Sequence, residues 1–383
     1  MRVRFVALLG VWSLTGCVER IIFEHAQLDG DSNSGGEIEV DTTGAPLEEP
    51  GLCEDVLGET DNFDDAEVCA APQNLTPCDL TTADPFEAMG LGCPWGPDSA
   101  ISIQNTAFTS PDPRAWRVIT QYGTHINPAD GLPTWRPREG NSMLALSTGT
   151  LPLPDAQGRL TQEPSNGGSN DNPDEVALPA PIVTEHGSNL GEGGAPFEDC
   201  DGVGDCSDSL RDQWQAGLAE ANDLLWLQFE TQAPAGTYGF SFDFAFFSAE
   251  FPEYVGSEFN DIFVAWSSSE SYTGNLCFVN DQPCTVTALW PPQFTEGNPA
   301  LDGTLFEPGE GEDDGLPGTS GEATGWFEAR GSAIPGEFVQ LTFAVFDMGD
   351  TIFDTLVLLD NFRWHCECCT APDFEPCIGI EPV

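Results

Sequence analysis

Residues 240–266 read FSFDFAFFSAEFPEYVGSEFNDIFVAW and constrain the fold more than any other stretch of this chain. Phe240, Phe242, Phe244 and Phe246 recur every second residue, so a strand here carries four rings on one face. A turn at Pro252, Tyr254 and Gly256 ends the strand, and a second strand is expected over residues 262–266. Glu250, Glu253, Glu258, Asn260 and Asp261 crowd the turn between them. Residues 339–364, VQLTFAVFDMGDTIFDTLVLLDNFRW, repeat the style near the C-terminus.

The rest of the chain also reads as β. Short aromatic and β-branched runs are divided by Gly and Pro turns, and strands are expected near residues 101–108, 115–120 and 143–147. Asp84-Pro85 predicts a short helix through Gly90. Residues 209–221 give the best helical step, with Ser209 and Asp212 resembling a capping box. The expectation is a mainly-β, jelly-roll-like β-sandwich with one or two short helices, long acidic loops and disulfide staples. One domain of about 290 residues is reasonable, because all-β units run long.

Three blocks carry a family resemblance: FSFDFAFFSAEFPEYVGSEFND, then GWF, then FDMGDTIFDTLVLLDNFRW. Upstream, EAMGL (87–91), SMLALSTG (142–149) and NDLLWLQFE (222–230) add to it. In this order and spacing the chain resembles the choice-of-anchor L family of bacterial secreted or surface proteins (myxobacterial in type), over roughly residues 77–364. The resemblance implies an exported domain held at the cell envelope and names no reaction.

The N-terminus agrees with export. Arg2 and Arg4 precede a short apolar core, and Leu14-Thr15-Gly16-Cys17 resembles a lipobox. Residues 1–16 then form a lipoprotein signal peptide and Cys17 is the lipidated residue; the alternative is an ordinary signal peptide with a chance cysteine. Val18 rather than Asp after the cysteine points to the outer membrane. Residues 17–52 are an acidic flexible tether, rich in Asp, Glu, Gly, Ser and Thr, with a reach of roughly 30–35 Å. Residues 53–365 are the expected domain, with an acidic Pro/Gly-rich insertion at about 152–207, and 366–383 a Cys-rich tail. The membrane partner is reached through lipid alone, since no apolar run is long enough to span a bilayer.

Thirteen cysteines less Cys17 leave twelve, an even number that in an oxidising compartment predicts six disulfides. Cys277 and Cys284 flank a hairpin, and Cys200 and Cys206 flank a tight acidic loop, so each pair is expected to bridge. Cys53, Cys69, Cys78 and Cys93 precede the main strands; Cys366, Cys368, Cys369 and Cys377 follow them. A simple scheme staples the tail to the N-terminal group, with the pairing left open. A zinc site at Cys366, Cys368, Cys369 and Cys377 is the rival reading, against which stand oxidation outside the cytoplasm and the lack of a His pair at ligand spacing.

With 64 acidic residues, 11 Arg and no Lys, the formal charge is −53. Nucleic acid is excluded as a partner, because neutralising phosphates takes basic patches. Oxygen-rich loops invite a hard cation such as Ca2+. One candidate set is Glu250, Asn260 and Asp261. A second is Asp347, Asp350, Asp354, Asp360 and Asn361; Asp360 shares strand parity with Leu356, Leu358, Phe362 and Trp364, which buries its carboxylate if that face is the core, while Arg363 has the opposite parity. Asp199, Asp201 and Asp205 form a weaker set without EF-hand spacing. For each, solvated or hydrogen-bonded acid is the plainer alternative.

No HExxH, GxSxG, P-loop or GxGxxG motif occurs, and the chain is expected not to be an enzyme. The function expected is an adhesin-like or structural envelope lipoprotein, stabilised by calcium and binding a glycan, matrix or surface-protein ligand through rings such as Trp95, Trp116, Trp135, Trp290 and Trp326. A polysaccharide hydrolase using paired carboxylates and an inert structural component are the alternatives.

Overall fold

The computed structural model describes residues 71–72, 75–79, 83–96, 99–161, 170–187, 203–252, 254–270, 272–279, 281–289, 299–304, 306, 322–366 and 378–383, all within the compact unit Leu52–Val383. The early strands are β1 (Gln104–Thr109), β2 (Trp116–Ile119), β3 (Gln121–Ile126), β4 (Pro133–Trp135), β5 (Met143–Ser147) and β6 (Arg159–Leu160). The long ones follow: β7 (Ala221–Gln232), β8 (Gly239–Ser248) and β9 (Ile262–Ser268). Short strands β10 (Thr273–Asn275), β11 (Phe278–Val279), β12 (Gln282–Pro283) and β13 (Glu322–Ala323) lead to β14 (Phe327–Ser332), β15 (Phe338–Met348), β16 (Thr355–His365) and β17 (Gly379–Pro382).

Two antiparallel sheets form the sandwich. One runs β1-β7-β15-β9-β10; the other runs β17-β14-β8-β16-β5-β2, with β13 on β8. The Phe240–Phe246 row on β8 points between them, into the same cluster as Leu341, Phe343 and Val345 of β15 and Phe263 of β9. Rings meet across the gap: Phe242 with Phe343 at 4.9 Å and Phe244 with Phe263 at 5.2 Å between centroids. Edge-to-face and tilted contacts of this kind add to the apolar area buried. The mainly-β sandwich with short helices is therefore the fold this chain adopts.

Both outer faces are covered as well. Ala245, Phe247, Leu356 and Leu358 lie beneath a small sheet β4-β3-β6, where Trp135 meets Phe247 at 4.8 Å. Val264, Trp266 and Phe346 lie beneath helix α1 (Arg211–Ala216), whose Trp214 packs on Phe346. Double coverage explains why every residue of β8 is buried and why its sequence is apolar on both parities.

The helix at 209–221 is shorter than its periodicity predicts. Leu218 and Ala219 turn to positive φ, and Ala221 already belongs to β7. Ser209 does not cap it: its hydroxyl faces Asp205 and Asn275, while Asp205 accepts the Ser209 and Leu210 N–H groups. The helix near Gly90 is a single 3-10 turn, Glu87–Met89, begun by Asp84 accepting from the Phe86 and Glu87 N–H groups.

Part of the acidic insertion is ordered against the domain: Val176 bridges Ala221, and Asn170 donates to the Thr148 carbonyl. Residues 162–169 and 188–202 of it lie outside the described residues.

Cys277 and Cys284 are bonded and close the β11–β12 hairpin. Cys78 pairs locally with Cys93, so these two do not reach the C-terminal tail. Cys206 and Cys366 are disulfide-bonded too. Cys17, Cys53, Cys69, Cys200, Cys368, Cys369 and Cys377 lie outside the described residues. Replacing Cys277 and Cys284 by Ser is expected to cost about 2–3 kcal/mol, from the closure entropy of so short a loop. Urea denaturation of the double variant beside the parent measures it; an unchanged midpoint would remove the hairpin bridge from the stability of this fold.

Candidate functional site

The inward-facing rows of both sheets end in oxygen rather than hydrocarbon. On β15 the row Leu341, Phe343, Val345 continues to Asp347; on β9, Ala265 and Phe263 are followed by Asp261. On β16 Val357 gives way to Thr355, and beyond β5 the row Leu144, Leu146 continues to Thr148. Asp261, Asp347, Thr148 and Thr355 are all buried.

A bulge adds Asp223. Val345 pairs with Leu225 but Asp347 with Asn222, so Asp223 and Leu224 together face one residue of β15. Asp223 has φ +50° and is 1% exposed. Bulges commonly re-aim a side chain in this way. Glu250 enters from the β8–β9 turn, where its Oε2 accepts the Asp261 N–H at 3.0 Å and holds the two ends of the turn together. Asp354 comes from the β15–β16 connection, with its carboxylate lying against Gly149, where any Cβ would collide with it.

Five carboxylates are thus gathered at one end of the core. No ion pair among the described residues includes Asp223, Glu250, Asp261 or Asp347. Neither oxygen of Asp347, neither oxygen of Asp223 and not Oδ2 of Asp261 accepts a well-formed hydrogen bond. Thr148 lies close to Asp347 and eases its burial, yet its hydroxyl already accepts the Thr355 N–H at 2.8 Å.

Burial drives the carboxyls upward from their ordinary range, and their neighbours' charges add to it. Asp347 is pushed well up by burial and then by Asp261; Asp261 by burial and then by Glu250; Glu250 by burial and then by Asp347 and Asp350. Asp223 is raised to about 8 by burial, with Asp174 and Asp354 adding their repulsion. Unpaired buried charge is costly enough that such groups take up a proton, a cation or a donor.

The structure therefore merges two acidic sets that the sequence keeps apart. Glu250 and Asp261 meet Asp347, and Asp350 acts on Glu250. Asn260 is buried beside them but committed: its amide donates to the Ser257 carbonyl and accepts from the Thr287 hydroxyl. Asp354 and Asp223 complete the cluster. Asp223 is not marked by the sequence, because it sits in the bulge where the parity of Leu225, Leu227 and Phe229 breaks.

Asp360 and Asn361 lie elsewhere, which corrects the parity argument. Asp360 pairs with Asp243 and Arg363 with Ser241, so Asn361 and Phe362 form a second bulge, with Asn361 at φ +60°. The bulge sends Phe362 and Trp364 into the inter-sheet core, while Leu356 and Leu358 face outward. Asp360 is buried on that outer side. It accepts the N–H groups of Arg138, Glu139 and Asn361 at 2.6, 3.2 and 2.6 Å. The same bulge brings Arg363 round to Asp243 at 3.1 Å, beside Arg138 at 3.0 Å.

Asp205 is a structural acceptor. Its two oxygens take the N–H groups of Ser207, Ser209, Leu210 and Asn275. Asp199 and Asp201, its expected companions, lie outside the described residues, as do Glu253 and Trp290. Of the remaining tryptophans, Trp135 and Trp326 are buried, Trp116 packs on Phe108, and only Trp95 is largely exposed, at 47%.

With this geometry in place, the chain can be set beside known proteins. Residues 182–362 match the family model of the choice-of-anchor L domain. The matched segment is shorter than the resemblance over 77–364. It spans β7 through most of β16 and contains all five gathered carboxylates. No curated protein and no solved structure matches the chain. The matched segment also frames an open groove of about 790 Å³ whose lining includes Ser257, Asn260, Gln282 and Thr287. Among the described residues, no helix is long and apolar enough to cross a membrane.

Proposed function

We propose that this protein is an exported, surface-associated component of the cell envelope with an adhesin-like or structural role, anchored in the outer membrane by lipid on Cys17. The match of residues 182–362 to the choice-of-anchor L domain supports the surface association, and the lipobox-like Leu14-Thr15-Gly16-Cys17 supports the lipid anchor. Doubly covered sheets make a stiff platform, and the polar groove beside the β8–β9 turn suits a hydroxyl-rich ligand such as a glycan. A surface-protein ligand would use the same rim. Burial also weighs against a polysaccharide hydrolase: Glu250 and Asp261 are 2% and 1% exposed, whereas glycosidase carboxylates must reach the scissile bond.

Two measurements test the proposal. Radiolabelled palmitate should enter the parent chain and not a Cys17→Ser variant, and protease added to whole cells should remove the parent from the outside. On glycan and matrix arrays, binding should be saturable and should weaken in Gln282→Ala. Label that persists without Cys17, or arrays without signal, would leave an unanchored or inert structural component.

A further inference from the structure

We propose that the buried layer of Asp223, Glu250, Asp261, Asp347 and Asp354 is the binding site for one divalent cation, calcium by its chemistry. The starting observation is unmatched oxygen. Five carboxylate oxygens of Asp223, Asp261 and Asp347 accept no well-formed hydrogen bond, and the Thr355 hydroxyl, close enough to Asp261 to ease its burial, makes none either. Folded proteins leave few buried polar atoms in that condition, and each one is costly. Asp347 shows it most plainly: it is 0% exposed, neither of its oxygens accepts a well-formed hydrogen bond, and it projects from the end of an otherwise apolar inward row.

Position gives the second reason. The carboxylates come from β7, β15, the β8–β9 turn and the β15–β16 connection, and Thr355 comes from the opposite sheet. Hydrogen-bonding neutral groups could have closed this end of the sandwich. Other buried acids of the described residues are matched, Asp243 by two arginines and Asp205 and Asp360 by backbone N–H groups, whereas Asp223 and Asp347 accept a well-formed bond of neither kind.

Ligand chemistry selects the ion. The set is all oxygen, with carboxylates and a hydroxyl and neither His nor Cys. Hard cations take such sets. Calcium accepts six to eight oxygens in irregular arrangements, whereas magnesium demands a near-octahedral shell and keeps its waters. Among the described residues, no three His, Cys, Asp or Glu side chains already stand as a ligand set. The proposed shell therefore closes only when the carboxylates turn toward the ion, Glu250 and Asp354 doing so from connecting segments rather than from strands. A cleft of about 300 Å³ lined by Asn222, Gly349 and Asp350 opens beside the cluster as a route in. The proposal is independent of adhesion: a protein that binds calcium and no glycan keeps the site and loses the role above.

The test is calorimetric titration of the full chain, stripped with chelator, with calcium chloride and then magnesium chloride in about 0.15 M salt, where diffuse surface attraction is screened. One saturable calcium site per chain is expected, with magnesium much weaker. Asp347→Asn should weaken calcium at least about 10–100-fold, as loss of a metal-site group does. Asp130→Asn, on an exposed turn, should change nothing. Should Asp347→Asn fail to fold, Asp223→Asn and a thermal melt of the parent with calcium against magnesium give the answer, since a specific ligand raises the midpoint by mass action. Weak, non-saturating uptake, equal effects of the two ions, or saturable binding indifferent to both substitutions would overturn the site. The carboxyls would then be held by shared protons.

Discussion

In chelator, this protein should lose stability steadily as the pH rises from about 5 to about 8, by roughly 3–4 kcal/mol through Asp223 alone. Asp223 is raised to about 8 in the folded chain, against about 3.9 when unfolded. Between those values the folded state keeps a proton that the unfolded state has released. Stability from a raised pKa is complete below the unfolded value and disappears as the pH passes through the folded one. The slope for one such group is at most about 1.4 kcal/mol per pH unit, and with Asp223 only 1% exposed water screens little of it. Asp261, Asp347 and Glu250 are shifted in the same direction and steepen the loss. Asp112 sets the acid side: Arg114 holds it down at about 2, so its contribution is present above about 3.9 and fades as the pH falls through 2. The optimum belongs near pH 4–5, below the usual range. Urea denaturation at four pH values in chelator measures the slope. Asp223→Asn should flatten it by about one group. Stability that instead rises from pH 5 to 8 would show that the carboxyls are ionised and matched in the chelator-treated chain.

The sandwich is legible because its strongest strand has only one way to bury four rings. Phe240 to Phe246 point inward and meet Phe343 and Phe263 across the gap. Parity also marks the acidic site. Asp347 and Asp261 continue rows whose other members are core residues, whereas Asp223 reaches the site through a bulge in β7. What parity misses is a break in its own period. An extra residue at Asn361 moves every later side chain of β16 to the other face, which put Asp360 with the wrong neighbours. The asparagine in DNF is the residue type that tolerates positive φ, yet nothing nearby in sequence demands a bulge; pairing with β8 does. The helix at 209–221 failed for a tertiary reason too. Its first residues are claimed by Asp205 and its last by β7, and local propensity yields to such contacts. The meeting of Glu250 with Asp347, nearly a hundred positions apart, comes from sheet order, which no local signal encodes.

Arg363→Ala should destabilise this protein by about 3–5 kcal/mol, although the side chain is partly exposed and opposite in parity to the acid first assigned to its strand face. The guanidinium lies 3.1 Å from Asp243 and also contacts Glu328. Asp243 is 0% exposed. Its other donors are Arg138 Nε at 3.0 Å and Asn361 Nδ2 at 2.9 Å. Two arginines thus neutralise a buried carboxylate on the face of β8, and Arg138 also lies over the Trp326 ring. Removing one partner of a buried pair leaves charge in a poor solvent, which costs more than the pair itself contributed. Arg138 remains, which favours the lower end of the range. Arg363→Ala with Asp243→Asn should recover part of the loss, because the orphaned charge goes with its partner. Asp360→Asn tests the neighbouring acid: one amide oxygen can still accept from the backbone, so the cost should be smaller than that of Arg363→Ala. Denaturant midpoints of the three variants decide the matter. An Arg363→Ala loss below about 1 kcal/mol, the range of a surface ion pair, would mean that Asp243 is satisfied without it and that the bulge at Asn361 positions Phe362 and Trp364 alone.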